Sequence, residues 1–191
     1  ACPVQPDTRT EQGEDAMKDV DRQNEHPDPQ GDPVAWARLL GQRVATLGAG
    51  LITTAESCTG GLIAQRITEL PGASAVFPGG VVCYTNEVKQ RALGVRPETL
   101  DRFGAVSEPV AMEMAEGIQR LTGADFGVSV TGLAGPGGDD RGNPIGTVFV
   151  GLAGAGGCRV HCLHLHGTRQ EIREECADHV FSWLSACASV K

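Results

Sequence analysis

A serine in a glycine-containing turn is the first candidate for chemistry in this sequence. Residues 54–61 read Thr-Ala-Glu-Ser-Cys-Thr-Gly-Gly and fall between a predicted strand and a predicted helix. Such a turn presents the hydroxyl of Ser57. It also leaves the backbone N–H groups of Cys58, Thr59 and Gly60 free at a helix N-terminus, where they can bind an oxyanion or a phosphate. The alternative interpretation is that Ser57 is only a helix N-cap.

A serine nucleophile needs a base, and the histidines that follow residue 32 begin only at His161. A lysine can accept the serine proton if burial lowers its pKa so that the neutral amine is present. Lys89 is the candidate, at the end of the segment 84–89 that begins with Tyr84. The alternative interpretation is that Lys89 is a solvated lysine on a helix surface.

Residues 131–138, which read Thr-Gly-Leu-Ala-Gly-Pro-Gly-Gly, form a second glycine-rich turn after a predicted strand. Glycines allow close approach of the backbone to a ligand, and successive N–H groups can form a nest for an anion. The segment is not a Walker A loop, because no Gly-Lys-Ser/Thr follows it. A purely structural turn is the alternative.

The run 158–166 has the residue types of a metal site. If it is a strand, Cys158, Cys162, His164 and His166 lie on one side of it. That side can equally pack against a helix, and no second ligand pair lies at zinc-finger spacing. The sequence therefore predicts neither a bound metal nor a cofactor.

Strands that alternate with helices position these motifs. Because the last two strands are separated only by Gly and Ala, they are predicted to form a hairpin. The pattern predicts a single three-layer α/β/α sandwich domain, residues 33–191, with a mixed β-sheet. The strands are predicted at 51–55, 81–84, 127–131, 147–152 and 158–166, and the helices at 33–47, 62–70, 86–93, 107–121 and 168–188.

Charge and composition limit the classes of partner. Residues 1–32 hold nine acidic and three basic residues and few apolar ones, which is typical of a disordered acidic leader. The leader therefore carries a net charge of −6, and the rest of the chain carries −2 of the total of −8. The rest of the chain also lacks the basic stripe that is typical of a nucleic-acid binder. No apolar run approaches the roughly 20 residues of a membrane helix, and no signal peptide is evident, so we expect a cytoplasmic protein. The seven cysteines are expected to be free thiols.

Taken together, these motifs resemble the CinA C-terminal-like family, also called nicotinamide-nucleotide amidases. Seven pieces occur in the order of that family, and the resemblance covers about residues 34–187. The pieces are residues 55–61, Phe77 with 79–80 and Tyr84, Lys89, 104–107, 131–136, 144–147 and 167–169. One departure is Thr168, where the family often has an aspartate, so a structural role of that acid is in question.

The resemblance implies hydrolysis of the carboxamide of nicotinamide mononucleotide to nicotinate mononucleotide and ammonia. It implies a catalytic dyad of Ser57 and Lys89, a functional tyrosine at Tyr84 and a homodimer whose substrate is a small pyridine nucleotide. The alternative is a non-catalytic module of the same fold that binds a nucleotide phosphate. The predicted substrate-binding residues are Cys58, Thr59, Gly60, Gly61, Ser107, Thr131, Gly132 and Gly135.

Overall fold

The computed structural model describes residues 50–187 as five strands with helices on both sides. The leader 1–32 and the helix predicted at 33–47 lie outside the described residues. The strands are β1 (Ile52–Glu56), β2 (Gly80–Val82), β3 (Phe126–Gly132), β4 (Thr147–Gly154) and β5 (Gly157–His164). The helices are α1 (Leu62–Thr68), α2 (Asn86–Leu93), α3 (Pro97–Phe103), α4 (Glu108–Thr122) and α5 (Arg169–Cys187), and a short 3₁₀ turn covers Ala73–Ala75.

The five strands form one mixed sheet in the order β2-β1-β3-β4-β5. β1 runs parallel to β2 and to β3, with Thr54 opposite Gly80 on one side and Val128 on the other. β4 is antiparallel to β3, and β4 and β5 form the expected hairpin, in which Gly154 pairs with Gly157. The predictions of a mixed sheet and of a hairpin are confirmed.

Helices cover both faces of the sheet, which gives three layers. Val128 and Val130 of β3 point to the face that packs against Ile172 and Phe181 of α5. On the other face of the same strand, the Ser129 hydroxyl donates a hydrogen bond of 2.6 Å to the carbonyl of Ala111 in α4. A Cβ at Gly127 would lie 2.2 Å from the carbonyl oxygen of Ala115, so α4 rests directly on the backbone of β3.

The clearest differences from the prediction are in two elements. The strand expected to reach Tyr84 ends at Val82: the N–H of Cys83 makes the last bond to β1, to the carbonyl of Glu56 at 2.8 Å, and the chain then leaves the sheet. α3 was not predicted, since only Thr99 and Leu100 of its seven residues are buried and no apolar period results. None of the helices in residues 50–187 is long and apolar enough to cross a membrane.

The candidate motifs meet at one edge of the sheet. Ser57 follows the last residue of β1, Lys89 lies in the helix after β2, and Gly132 is the last residue of β3. These three strands are parallel, so their carboxyl ends lie at the same edge. In open α/β sheets this edge is the usual place for a ligand.

Candidate active site

Ser57 and Lys89 form a buried hydrogen-bonded pair. The Nζ atom of Lys89 lies 3.1 Å from Oγ of Ser57 and donates a hydrogen bond of 2.8 Å to the carbonyl of Cys83. Lys89 is 1% exposed and, with Leu93, forms the buried side of α2. Burial lowers the pKa of Lys89, because desolvation disfavours the ammonium form. The interpretation of Lys89 as a solvated surface lysine is therefore wrong.

Ser57 is not a helix N-cap. α1 begins at Leu62, and its N-cap residue is Gly61, which has no side chain that could cap the helix. The hydroxyl of Ser57 is instead directed to Lys89. The N-cap interpretation is wrong because the turn between β1 and α1 is several residues longer than such a cap allows.

Two cysteines flank the pair and are poor competitors as nucleophiles. Burial raises the pKa of Cys58 to about 12, and the nearby backbone N–H groups of Cys58 and Thr59 offset this only in part. Burial likewise raises the pKa of Cys83 to about 11. A thiol must lose its proton to attack, so burial makes both groups weak nucleophiles near neutral pH.

The backbone N–H groups of the turn can be accounted for one by one. Three of them donate to the carboxylate of Glu56, which is 1% exposed: those of Gly61 at 3.0 Å, Ile63 at 3.1 Å and Ala64 at 2.8 Å. This carboxylate therefore caps α1 from inside the protein, a role that the sequence did not reveal. An acid at a helix N-terminus also interacts favourably with the helix dipole.

The remaining N–H groups decide which donors are available to a ligand. The N–H of Ser57 donates to the carbonyl of Val130 at 2.9 Å, and that of Gly60 donates to the carbonyl of Ser57 at 3.0 Å. Within residues 50–187, the N–H groups of Cys58 and Thr59 make no hydrogen bond to a protein oxygen. The expectation of free N–H groups is thus wrong for Gly60, and the N–H of Gly61 is likewise occupied by Glu56.

A pocket of about 230 Å³ opens at this pair. Asn86 is exposed in its wall, one helical turn before Lys89. Half of the predicted binding residues line the pocket, namely Cys58, Thr131, Gly132 and Gly135, whereas Thr59, Gly60, Gly61 and Ser107 do not. The full lining consists of Ser57, Cys58, Tyr84, Asn86, Lys89, Ala105, Val106, residues 131–135, Gly137 and Arg169.

The hydroxyl groups of two predicted binding residues, Ser107 and Thr131, make structural hydrogen bonds. The hydroxyl of Ser107 donates to the carbonyl of Gly104 at 2.8 Å, just before α4. Thr131 lines the pocket, yet its hydroxyl donates to the carbonyl of Ala105 at 2.7 Å. These two bonds fix the segment 104–107, which brings Ala105 and Val106 into the wall.

Arg169 is a pocket residue that the prediction did not single out. Its guanidinium donates to the phenol oxygen of Tyr84 at 2.7 Å and to the carbonyl of Gly135 at 2.9 Å. It therefore joins the segments that follow β2 and β3 across the mouth of the pocket. Its presence in the motif 167–169 was the only sequence signal that could have found it.

The departure at Thr168 has a structural explanation. The N–H of Thr168 donates to the carboxylate of Glu171 at 2.7 Å, and the N–H of Glu171 donates back to the hydroxyl of Thr168 at 3.3 Å. This reciprocal pair is a capping box at the start of α5. Threonine can accept an N–H here as an aspartate would, so the cap that places Arg169 in the first turn is retained.

The Cys/His run does not bring three of its side chains together among the described residues. β5 ends at His164, so His166 lies beyond the strand. Sγ of Cys162 and Nε2 of His164 lie 3.9 Å apart and are the one close pair of the four. In the described part of the chain, no group of three or more His, Cys, Asp or Glu residues could hold a metal ion.

Comparison with known families and proteins gives consistent matches. Residues 37–188 match the model of the CinA C-terminal domain family. A Bacillus subtilis protein named "Putative competence-damage inducible protein" is 52% identical over 128 residues, which cover 67% of this chain and 30% of that protein. A "CinA-like protein" of Geotalea daltonii is 45% identical over 151 residues, covering 75% of this chain and 37% of that protein. The chain thus spans about a third of the length of these relatives.

Solved structures show the same fold. The competence/damage inducible protein CihA from Agrobacterium tumefaciens has a TM-score of 0.77 and is 41% identical, with 82% of this chain and 95% of that chain covered. A competence-damaged protein (CinA) superfamily protein from Klebsiella pneumoniae has a TM-score of 0.80 at 30% identity, with coverage of 83% and 98%.

Proposed function

This chain belongs to the CinA C-terminal domain family, and from that premise we propose that it is an amidohydrolase acting on nicotinamide mononucleotide. The products are nicotinate mononucleotide and ammonia. The observation that carries the proposal is the buried Lys89, whose Nζ lies 3.1 Å from the hydroxyl of Ser57 with no carboxylate paired to it among residues 50–187. A buried lysine without an acidic partner is suited to be a neutral base.

The first step is the attack of Ser57 on the substrate carboxamide. Neutral Lys89 accepts the hydroxyl proton while Oγ bonds to the amide carbon, and the carbonyl electron pair moves onto oxygen. The N–H groups of Cys58 and Thr59 are the donors available to that oxyanion, since the other N–H groups of the turn are already engaged.

The second step is the release of ammonia. The oxyanion re-forms the carbonyl, the carbon–nitrogen bond breaks, and protonated Lys89 gives its proton to the departing nitrogen. A nicotinoyl ester on Ser57 remains. Lys89 then takes a proton from water, the hydroxide attacks the ester carbon, and collapse returns the proton to Ser57 and frees the nicotinate product.

Arg169 gives the pocket a means of recognising the nucleotide phosphate. The pocket lining contains two basic residues, Lys89 and Arg169. Because Lys89 belongs to the dyad, the guanidinium of Arg169 is the group that can bind an anion. Guanidinium groups bind phosphate with two parallel hydrogen bonds. We expect the phosphate to supply binding energy that positions the amide, so free nicotinamide should be a much weaker substrate.

An ammonia assay across pyridine carboxamides tests the proposal. Wild-type protein should release ammonia from nicotinamide mononucleotide, with nicotinate mononucleotide identified by chromatography, and Ser57→Ala should release none above background. Ligand binding without turnover in the wild-type protein would instead favour the module that only binds a nucleotide phosphate. Equal turnover of nicotinamide and its mononucleotide would contradict the role of the phosphate.

A further inference from the structure

Arg173, one turn after Arg169 in α5, contacts the turn that carries Ser57. Its Nε and Nη2 atoms both donate to the carbonyl oxygen of Thr59, at 3.2 Å and 2.8 Å. Its Nη1 atom donates to the side chain of Gln170 at 3.0 Å. A Cβ at Gly60 would have Nη2 of Arg173 as its near neighbour at 3.8 Å, so the guanidinium lies directly against the turn.

These contacts fix a peptide unit next to the proposed oxyanion donors. The Thr59–Gly60 peptide is held at its oxygen by the two bonds from Arg173 and a longer one, 3.3 Å, from the N–H of Leu62, and at its nitrogen by the bond from Gly60 to the carbonyl of Ser57. A peptide unit that is held at both ends cannot rotate without breaking both interactions. The preceding peptide, Cys58–Thr59, carries the N–H of Thr59. Because this peptide is joined to the fixed one, the direction of that N–H is restricted as well.

Glu56 holds the same segment from the opposite end. Its carboxylate engages the N–H groups of Gly61, Ile63 and Ala64, which lie after the fixed peptide. Of the N–H groups from Ser57 to Ala64, only those of Cys58 and Thr59 make no hydrogen bond to an oxygen of the described chain. The acceptor that these two donors face within the described chain is the thiol of Cys58, which is a weak acceptor, so both remain available to a stronger acceptor such as a ligand oxygen.

We propose that Arg173 is a positioning residue, which holds the Thr59 carbonyl so that the N–H groups of Cys58 and Thr59 stay directed to the oxyanion. The proposal rests on the proposed amide hydrolysis and deepens it. Arg173 acts through the backbone and does not line the pocket. In this proposal the two arginines of α5 have different roles: Arg169 binds the substrate, and Arg173 positions the turn that follows β1.

Kinetics of Arg173 variants test this role. Arg173→Met should lower kcat for nicotinamide mononucleotide by about 100-fold, the effect of a lost oxyanion donor, with KM changed less than about threefold. Arg173→Lys should recover part of kcat, because an ammonium group can reach the carbonyl but lacks the planar pair of donors. A rise in KM with normal kcat would instead make Arg173 a substrate contact and overturn the proposal.

Arg66→Met is the matched control. Arg66 is 6% exposed and also joins α5 to the segment after β1, through an ion pair with Asp178 at 2.6 Å, but within the described chain no side-chain hydrogen bond or ion pair joins it to residues 57–60. Loss of general helix docking should therefore appear in both variants as a similar fall in melting temperature. If Arg66→Met lowers kcat as much as Arg173→Met does, the effect is structural and the positioning role is wrong.

A fluorophosphonate probe separates this proposal from the choice of substrate. Ser57 attacks phosphorus, fluoride leaves, and Lys89 takes the serine proton, so labelling depends on the dyad and the oxyanion donors but not on a nucleotide. Labelling of Ser57 should be at least about tenfold slower in Arg173→Met than in Arg66→Met. If the wild-type protein labels in this pattern but releases no ammonia, the substrate assignment fails and the role of Arg173 stands. Equal labelling of the two variants, or a wild-type Ser57 that does not react, overturns it.

Discussion

The amine of Lys89 and the hydroxyl of Ser57 are 3.1 Å apart, and the same amine donates to the carbonyl of Cys83 at 2.8 Å. The carbonyl orients the nitrogen without adding a negative charge that would stabilise the ammonium form. A lysine held in this way can exchange a proton with the serine near neutral pH once burial has lowered its pKa.

The first prediction concerns the base. A free lysine has a pKa of about 10.4, and the rate should rise with pH through an apparent pKa below that value, because only the deprotonated amine accepts the serine proton. Lys89→Arg should be about 100-fold slower or worse, since guanidinium stays protonated, and Lys89→Met should be equally slow. Rates of ammonia release between pH 6 and pH 10 check this. If Lys89→Arg keeps a tenth of the wild-type turnover with its melting curve unchanged, the base lies elsewhere.

The second prediction concerns Arg169. Arg169→Met should raise KM for nicotinamide mononucleotide by about 10-fold or more, because a charge-assisted phosphate contact is lost, while activity on nicotinamide should hardly change. Steady-state kinetics on both compounds measure the difference. Arg120→Met is a suitable control, since Arg120 is an exposed residue of α4 outside the pocket. An equal loss of activity on both compounds would count against phosphate recognition.

The third prediction separates two roles of Tyr84. Its phenol oxygen accepts a hydrogen bond from Arg169 at 2.7 Å, and no hydrogen bond joins it to Ser57 or Lys89 in the described chain. We therefore expect Tyr84→Phe to raise KM by a factor of about three to ten and to leave kcat within about threefold, as for a lost hydrogen bond. A fall in kcat with unchanged KM would instead make Tyr84 a proton relay.

The fourth prediction is about stability. Glu56→Gln should lower the free energy of unfolding by about 3 kcal/mol, because an amide cannot replace both carboxylate oxygens as acceptors for the three N–H groups at the start of α1. Urea denaturation measures the change. Glu175→Gln on the exposed side of α5 is the matched control and should change stability little. An equal effect of the two substitutions would contradict this role of Glu56.

The fifth prediction is that a chelator leaves activity unchanged. The proposed steps use a serine ester and proton transfers by Lys89, and none of them requires a Lewis acid. Ammonia release before and after dialysis against a chelator tests this with untagged protein. Loss of activity with recovery on addition of zinc would direct attention to Cys162 and His164.

Local sequence patterns predicted most of the fold. The features that they did not predict depend on contacts between residues far apart in the chain. The helix at 86–93 agrees with the prediction, and the hairpin strands agree with it to within two residues at their ends, because apolar period and glycine turns are properties of short segments. Lys89 was a candidate base for Ser57 on chemical grounds, and the family resemblance favoured the two as a dyad, since spacing in the chain does not reveal that α2 buries a lysine. The roles of Glu56, Arg169 and Arg173 depend on which backbone atoms another element brings within reach, which is a tertiary property.

The turn between β4 and β5 lies at the end of the sheet away from the pocket. Ala153 pairs with Gly127 at the start of β3, whereas the pocket is beside Gly132 at its end. Ala155 is exposed, and a Cβ at Gly156 would have no heavy atom within 4 Å. This turn is thus an attachment point for an epitope, a fluorophore or a surface tether. A group introduced there would not block access of the substrate to the pocket.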